Sequence, residues 1–370
     1  MRLLVSARLD VLLGICMKWS VFKIFVLLFV IAVAAGVAHT YYYTQKWEEA
    51  HPPTGKFLKV NGYKVHYRDM NRVPETELAP IVLMHGASAN FLDMKIALGD
   101  RLSENRRIIL VDRPGHGYSE RPKDSHLLNV QTRQINGLIK KLKVEKPIVI
   151  GQSYGGAVAL KYALNYPDDV SGLIILAGVS HAWPGGVANY YSIGAGEGLG
   201  TLLRWTLFPA LGELKGPEYT ASTFWPLKPP RNYHDRAATG LLYRPKEFKN
   251  NAQDMTHLLK EVNAMKSRYE TISVPVKILA GTHDTIVSPT IHGRTLAQEI
   301  PNAHFEFVPG TGHTLQHSAT EEIDAMLAEL DQDLRTAKAE VDEVLGEELD
   351  EVSGENSDEE LTKASPQASD

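Results

Sequence analysis

The chain has 370 residues, 44% hydrophobic and 22% charged, with a net charge of −5. That is ample apolar material for one large α/β domain with appendages, and mild acidity without a basic stripe argues against nucleic acid as a partner. There is no P-loop and no dinucleotide fingerprint, because Gly194, Gly196 and Gly198 follow no strand; no cofactor and no metal are expected.

In chain order, Ile24 to Ala38 is an unbroken apolar run, extended upstream by Trp19 to Phe22 with only Lys23 interrupting. It approaches the roughly 20 residues needed to cross a bilayer. Arg2, Arg8, Lys18 and Lys23 precede it, whereas Glu48 and Glu49 accompany Lys46 after it. This bias places the amino end in the cytoplasm and everything after the span on the extracytoplasmic side, periplasmic or lumenal. Tyr41, Tyr42, Tyr43 and Trp47 read as an interfacial aromatic belt. A cleaved signal releasing a secreted protein is the rival, since Gly36 and Ala38 are small and spaced for processing, but the run is long for a signal and favours a retained span over about 19–39. Met17 is an alternative start. Cys16, the only cysteine, precedes the span, so the rest needs no disulfide.

Lys56 to Val60 and Tyr63 to Tyr67 alternate around Asn61-Gly62, a strong hairpin signal that opens the sheet antiparallel. Ala79 to Met84 is an apolar strand followed by the loop His85-Gly86-Ala87-Ser88, and Arg107 to Val111 is a second strand, followed by the turn Asp112 to Ser119. Pro147 to Ile150 runs into Gly151-Gln152-Ser153-Tyr154-Gly155-Gly156 and then a helix-forming stretch from Ala157. A G-x-S-x-G between strand and helix is a nucleophile elbow, in which small flanking residues let the backbones crowd and hold the serine hydroxyl out. The same five letters can also arise in any glycine-rich loop; the flanking strand and helix separate the two readings.

Ser171 to Gly178 is the next core strand. From about Ser180 to Thr271 the core pattern stops, and Trp183, Tyr190, Tyr191, Trp205, Phe208, Phe224, Trp225 and Tyr233 mark a lid over an apolar pocket, most of these aromatics holding the lid together. Val274 to Gly281 resumes the sheet, with Asp284 just beyond it; His304 to Pro309 is the last strand, with His313 in the glycine-rich loop after it. Ser153 as nucleophile, His313 as base and Asp284 as orienter satisfy the needs of acyl transfer, since a serine hydroxyl requires an imidazole to take its proton and a carboxylate to fix that imidazole. His317, His283 and Asp254 compete for the latter roles. Backbone N–H groups of Ala87 and Tyr154 would form the oxyanion hole, with Gly86 the alternative by one residue, and His85 and His116 read as structural. From Asp331 the chain turns acidic, with Glu347, Glu348, Asp350, Glu351, Asp358, Glu359 and Glu360, and disorder is expected.

These motifs and the order Ser, Asp, His resemble the α/β-hydrolase superfamily over about Gly55 to Leu330, in the branch with a helical cap. The resemblance implies a mostly parallel sheet with helices on both faces, with 51–180 and 272–332 as core and 181–271 as cap; hydropathy and charge add 1–50 as membrane anchor and 333–370 as a disordered tail. It includes esterases, lipase-like enzymes, cofactor-free haloperoxidases and carbon–carbon bond hydrolases; a serine at position 153 argues against its dehalogenase and epoxide hydrolase members, which carry Asp there. The expected activity is hydrolysis of a small-molecule carboxylic ester, with an apolar acyl group, through an acyl-enzyme. Carbon–carbon hydrolysis and perhydrolysis on the same three residues are alternatives, the former disfavoured because His85 to Asn90 lacks a longer Gly and Pro pattern. A catalytically silent membrane-tethered binding protein is the alternative of another class, and it would be expected to lack a member of the set.

Overall fold

The computed structural model describes the backbone of residues 2–74 and 76–362 and the side chains of 18–74 and 76–343. Arg2, Arg8, Cys16, Met17 and the acidic run from Glu347 therefore lie outside the described side chains. The strands are β1 (Lys56–Val60), β2 (Tyr63–Met70), β3 (Ile81–Met84), β4 (Ile108–Val111), β5 (Ile148–Gln152), β6 (Gly172–Leu176), β7 (Val276–Gly281) and β8 (Ala303–Val308). They form one sheet in the order β1-β2-β4-β3-β5-β6-β7-β8. The first two pairings are antiparallel and the rest parallel. Asn61 and Gly62 both have positive φ, the geometry a two-residue hairpin loop requires, and Val60 pairs with Tyr63 across them.

Helices α1 (Arg2–Ala50), α2 (Phe91–Met94), α3 (Asp100–Leu102), α4 (Leu128–Lys141) and α5 (Tyr154–Asn165) belong to the first half of the chain. Between β6 and β7 lie α6 (Asn189–Ala195), α7 (Leu199–Thr206), α8 (Phe208–Thr223), α9 (Tyr233–Arg236) and α10 (Pro245–Met265); α11 (Thr295–Glu299), α12 (Leu315–Ser318) and α13 (Thr320–Thr362) follow. The central strands are apolar without interruption because both faces are covered. Their period of two sends neighbours into different cores: Val82, Met84, Ile109, Val111 and Val149 meet α4, α5 and the end of α10, while Ile81, Leu83, Ile108, Leu110, Ile148 and Ile150 meet α2, α12 and the start of α13.

α10 ties the inserted helices to this core. Glu247, Asn251, Asp254, Leu258, Val262 and Met265 are all buried, and their spacing of four and three puts them on one helix face. The first half of that stripe is polar and the second apolar. Only the second joins the sheet core.

α1 is a single helix of 49 residues whose Lys18–Ala50 portion includes an 18-residue window of mean hydropathy 2.7, 0% buried. It is long and apolar enough to cross a membrane. Its last third packs on the inserted helices: Thr40 and Tyr43 are buried, a Cβ on Gly36 would lie 2.8 Å from that of Thr206, and the Trp47 ring fills the space at Gly240. Of the four aromatics expected in an interfacial belt, only Tyr41 and Tyr42 face outward. Successive helical residues point about 100° apart, so near-consecutive aromatics are divided between partner and surroundings.

The expected disordered tail also differs. α13 continues unbroken through residue 333 to Thr362. Its anchored part carries Ile323, Met326, Leu327 and Leu330 in the core and Asp331 against Arg106, whereas residues 335–343 are exposed and rest on the helix propensity of Arg, Ala, Lys and Glu.

Trp47→Ala should lower the unfolding free energy by about 2 kcal/mol, roughly half the cost of deleting a fully buried aromatic, and Tyr42→Ala should leave it within about 0.5 kcal/mol. Denaturant unfolding of the detergent-solubilised protein measures both; equal effects would contradict the docking.

Candidate active site

β5 ends at Gln152 and α5 begins at Tyr154, so Ser153 alone makes the turn. Its backbone lies at φ 54°, ψ −117°, a region that costs a non-glycine residue on the order of 1–3 kcal/mol. Three hydrogen bonds hold it: its N–H donates to the Leu176 carbonyl at 2.9 Å, and its carbonyl accepts from the N–H groups of Gly156 at 2.9 Å and Val179 at 3.1 Å. The flanking glycines leave no room for a side chain. A Cβ would sit 2.3 Å from the Gly155 carbonyl oxygen at Gly151, and 2.3 Å from that of Met84 at Gly155.

Asp284 and His313 follow the ends of β7 and β8. The Asp284 Oδ1 accepts from the N–H groups of Ile286 and Val287 at 2.8 and 2.9 Å, which aims Oδ2 at His313 Nδ1, 2.8 Å away. A carboxylate there only accepts, so Nδ1 carries the proton and Nε2 presents its lone pair. That lone pair faces Gln152, whose amide nitrogen lies 3.4 Å from Nε2 and donates to the His313 carbonyl at 3.2 Å. Among the described residues no hydrogen bond joins Ser153 to His313. Histidine and acid are paired, and the serine–histidine link is open.

The competitors lie elsewhere. His317 Nε2 is 2.7 Å from Asp93, His283 pairs with Thr282 and abuts Trp225, and Asp254 is wholly buried beneath the elbow. Asp254 reaches Arg113 at 3.1 Å and Arg121 at 2.8 Å, with Gln131 at 3.3 Å.

The Arg113 guanidinium, fully buried, organises the loop after β3. It donates to the carbonyls of His85 at 3.1 Å and Gly86 at 3.0 Å and lies 4.3 Å from the centroid of the Tyr154 ring. Asn251 of α10 accepts the Ser88 N–H at 2.8 Å. With those carbonyls turned inward, the N–H of Ala87 and of its neighbour Gly86 is uncommitted among the described hydrogen bonds, as is that of Tyr154, the first residue of α5. Gly86 lies against the elbow, where a Cβ would be 3.2 Å from that of Ser153. His85 accepts the Arg113 N–H on Nε2 at 3.0 Å and donates from Nδ1 to the Gly86 carbonyl at 2.9 Å, a structural role.

Sequence reasoning passed over Gln152, Arg113 and Asn251. Gln152 occupies the variable position of the elbow motif, and Arg113 lies inside a turn that reads as structural; only the folded chain shows what either touches. Strand order offers a further signal, because β3 and β5 are neighbours while the chain goes from β3 to β4 on one side and to β5 on the other. A crevice for ligands forms at the carboxyl ends of strands at such a switch. An open concavity of about 950 Å³ lies instead at the other end of the sheet, between Pro80, Val144, Ser171 and Leu334.

The chain belongs to the alpha/beta hydrolase family, whose model matches residues 81–325. It is 28% identical over 293 residues to a 2-hydroxy-6-oxononadienedioate/2-hydroxy-6-oxononatrienedioate hydrolase of Paraburkholderia phymatum, covering 74% of this chain and 94% of the relative. It is 26% identical to a 2-hydroxymuconate semialdehyde hydrolase of Pseudomonas putida, over 76% of this chain and 96% of the relative. Among solved structures, an esterase from Exiguobacterium antarcticum superposes with a TM-score of 0.59 at 20% identity, over 75% of this chain and all of that one, a likeness of fold.

Burial holds three histidines neutral: it pushes His85 down to about 3, His292 to about 4 and His116 well below its ordinary value. The unfolded chain would protonate all three below about pH 6.5, so their contribution to stability is complete above that pH and lost on acidification, by up to about 1.4 kcal/mol per histidine per pH unit. Glu247, which burial holds up near 7, acts oppositely between about 4.5 and 7, one group against three. Thermal melts should show a lower Tm at pH 5 than at pH 7.5; an equal or higher one would contradict this assignment.

Proposed function

We propose that this protein is a serine hydrolase in which Ser153 is the nucleophile, His313 the general base and Asp284 its orienter, with Ala87 and Tyr154 as oxyanion donors. The observation that carries the reading is the Asp284–His313 pair at 2.8 Å at the end of the sheet where the elbow presents Ser153. In this reading substrate entry moves the Gln152 amide off Nε2 and lets the serine hydroxyl take its place, since apo geometries tighten in the substrate complex. Oγ attacks the carbonyl carbon as its proton passes to Nε2, and the oxyanion is met by two backbone N–H groups. His313 then gives the proton to the leaving group, and water, activated by the same imidazole, releases the acyl group and restores Ser153.

The leading substrate class is a carboxylic ester with an apolar acyl group, consistent with the apolar cap and with α1. Carbon–carbon bond hydrolysis is the second reading, favoured by the names of the relatives at 26–28% identity, which are hydrolases of oxo-dienoate compounds. We further propose that α1 is a retained membrane span with the hydrolase domain on the extracytoplasmic side.

Ser153→Ala and His313→Ala should each reduce turnover of p-nitrophenyl esters by roughly 10⁴ or more, and the double variant little further, because such residues act as a unit. Asp284→Asn should cost orders of magnitude with folding intact. Additive losses, or near-normal turnover in Asp284→Asn, would contradict the roles. Cleavage of a vinylogous 1,5-diketone at a rate exceeding that of every ester would select the carbon–carbon reading.

A further inference from the structure

The helices α7 and α8, with Leu207 joining them, carry large apolar side chains that stand open to their surroundings: Leu199, Leu207, Leu211 and Leu214 are 63, 45, 44 and 73% exposed. The last three, spaced by four and three, lie on one face. This patch is continuous with α1. Gly36 abuts Thr206, between Trp205 and Leu207, and on the amino side of that contact Ile24 to Ile31 are exposed and apolar.

α1 and α8 run alongside each other in the same sense. Gly36 meets Thr206 at the end of α7, two residues before α8 begins, and Glu213 further along α8 lies 3.3 Å from both His39 and Lys46. The apolar row on α8 ends at Leu214, and the next turn carries the Lys215–Glu218 ion pair at 2.9 Å. On α1 the apolar run gives way at the same level to Tyr41 and Tyr42, then Gln45 and Lys46. Two elements side by side therefore change from apolar to charged at one height, as expected at a membrane surface.

We propose that the α7–α8 face is seated in the bilayer leaflet through which α1 emerges, so that its occupant is phospholipid. This rests on α1 being a retained span. α8 leads directly to Phe224 and Trp225, and the Trp225 carbonyl packs against Gly312, next to His313. The helix in contact with lipid thus ends, and its following segment packs, beside the loop that carries the histidine, and the substrate class this favours is an ester dissolved in the bilayer.

The test uses the full chain in phosphatidylcholine nanodiscs, with Cys16→Ser and one new cysteine at a time: Leu211→Cys, Leu214→Cys, or Glu145→Cys on the far end of the sheet, each carrying an environment-sensitive fluorophore. The Leu211 and Leu214 probes should be blue-shifted and at least twofold quenched by shallow spin-labelled lipid, the Glu145 probe unaffected. Probes at 211 and 214 that behave like the one at 145, while the protein resists carbonate extraction, would overturn the seat and leave the span intact. Release by carbonate would overturn both. Disulfide cross-linking between copies through position 214 without lipid quenching would assign the face to a second copy and overturn the proposal.

Discussion

A serine held at φ 54° is unstable by itself, and its geometry persists because the surroundings fix it from three sides. The Leu176 carbonyl, the Gly156 and Val179 amides, and the close approach of β3 to α5 leave the chain at Ser153 no relaxed alternative. The Gly156 bond is local to the turn, but the contacts from Leu176, Val179 and β3 depend on β5 lying between β3 and β6. The parallel sheet is in this sense the device that stores strain at one residue, and a hydroxyl presented at the carboxyl end of the switch point is the result.

A second layer of constraint lies beneath. Asp254, on a cap helix, is paired with Arg113, which in turn holds the His85 and Gly86 carbonyls and lies on the Tyr154 ring. Removing one partner of so buried a pair leaves an uncompensated charge, typically at a cost of about 3–5 kcal/mol. The cap is therefore coupled to the loop that would bind the oxyanion. α10 repeats the coupling mechanically, with one stripe of side chains facing the site and then the sheet core.

How much of this the sequence shows depends on the range of the interactions. The hairpin at Asn61-Gly62, the apolar strands and the elbow are local patterns, and the structure has them within a few residues of where periodicity and glycine spacing put them. The positions of Asp284 and His313 past their strands are legible for the same reason. Which side chains meet them is not: Gln152 facing Nε2, or Arg113 ordering the Gly86 carbonyl, is a contact between segments distant in the chain. The aromatics at 41–47 illustrate the limit, since composition suggests a belt but only the docked helix divides them. The charged stretch after residue 333 illustrates another, because residues that bury little can still continue a helix whose first turns are anchored by Ile323 and Leu327.

The central claim is that Ser153 is the reacting atom's host, and covalent trapping tests it most directly. Full-length protein treated with a fluorophosphonate and digested should carry a single stoichiometric adduct on the peptide containing Ser153, formed at least a hundredfold more slowly when His313 is Ala. An adduct mapping to Ser88, Ser119 or Ser180, or one that persists in Ser153→Ala, would contradict the account.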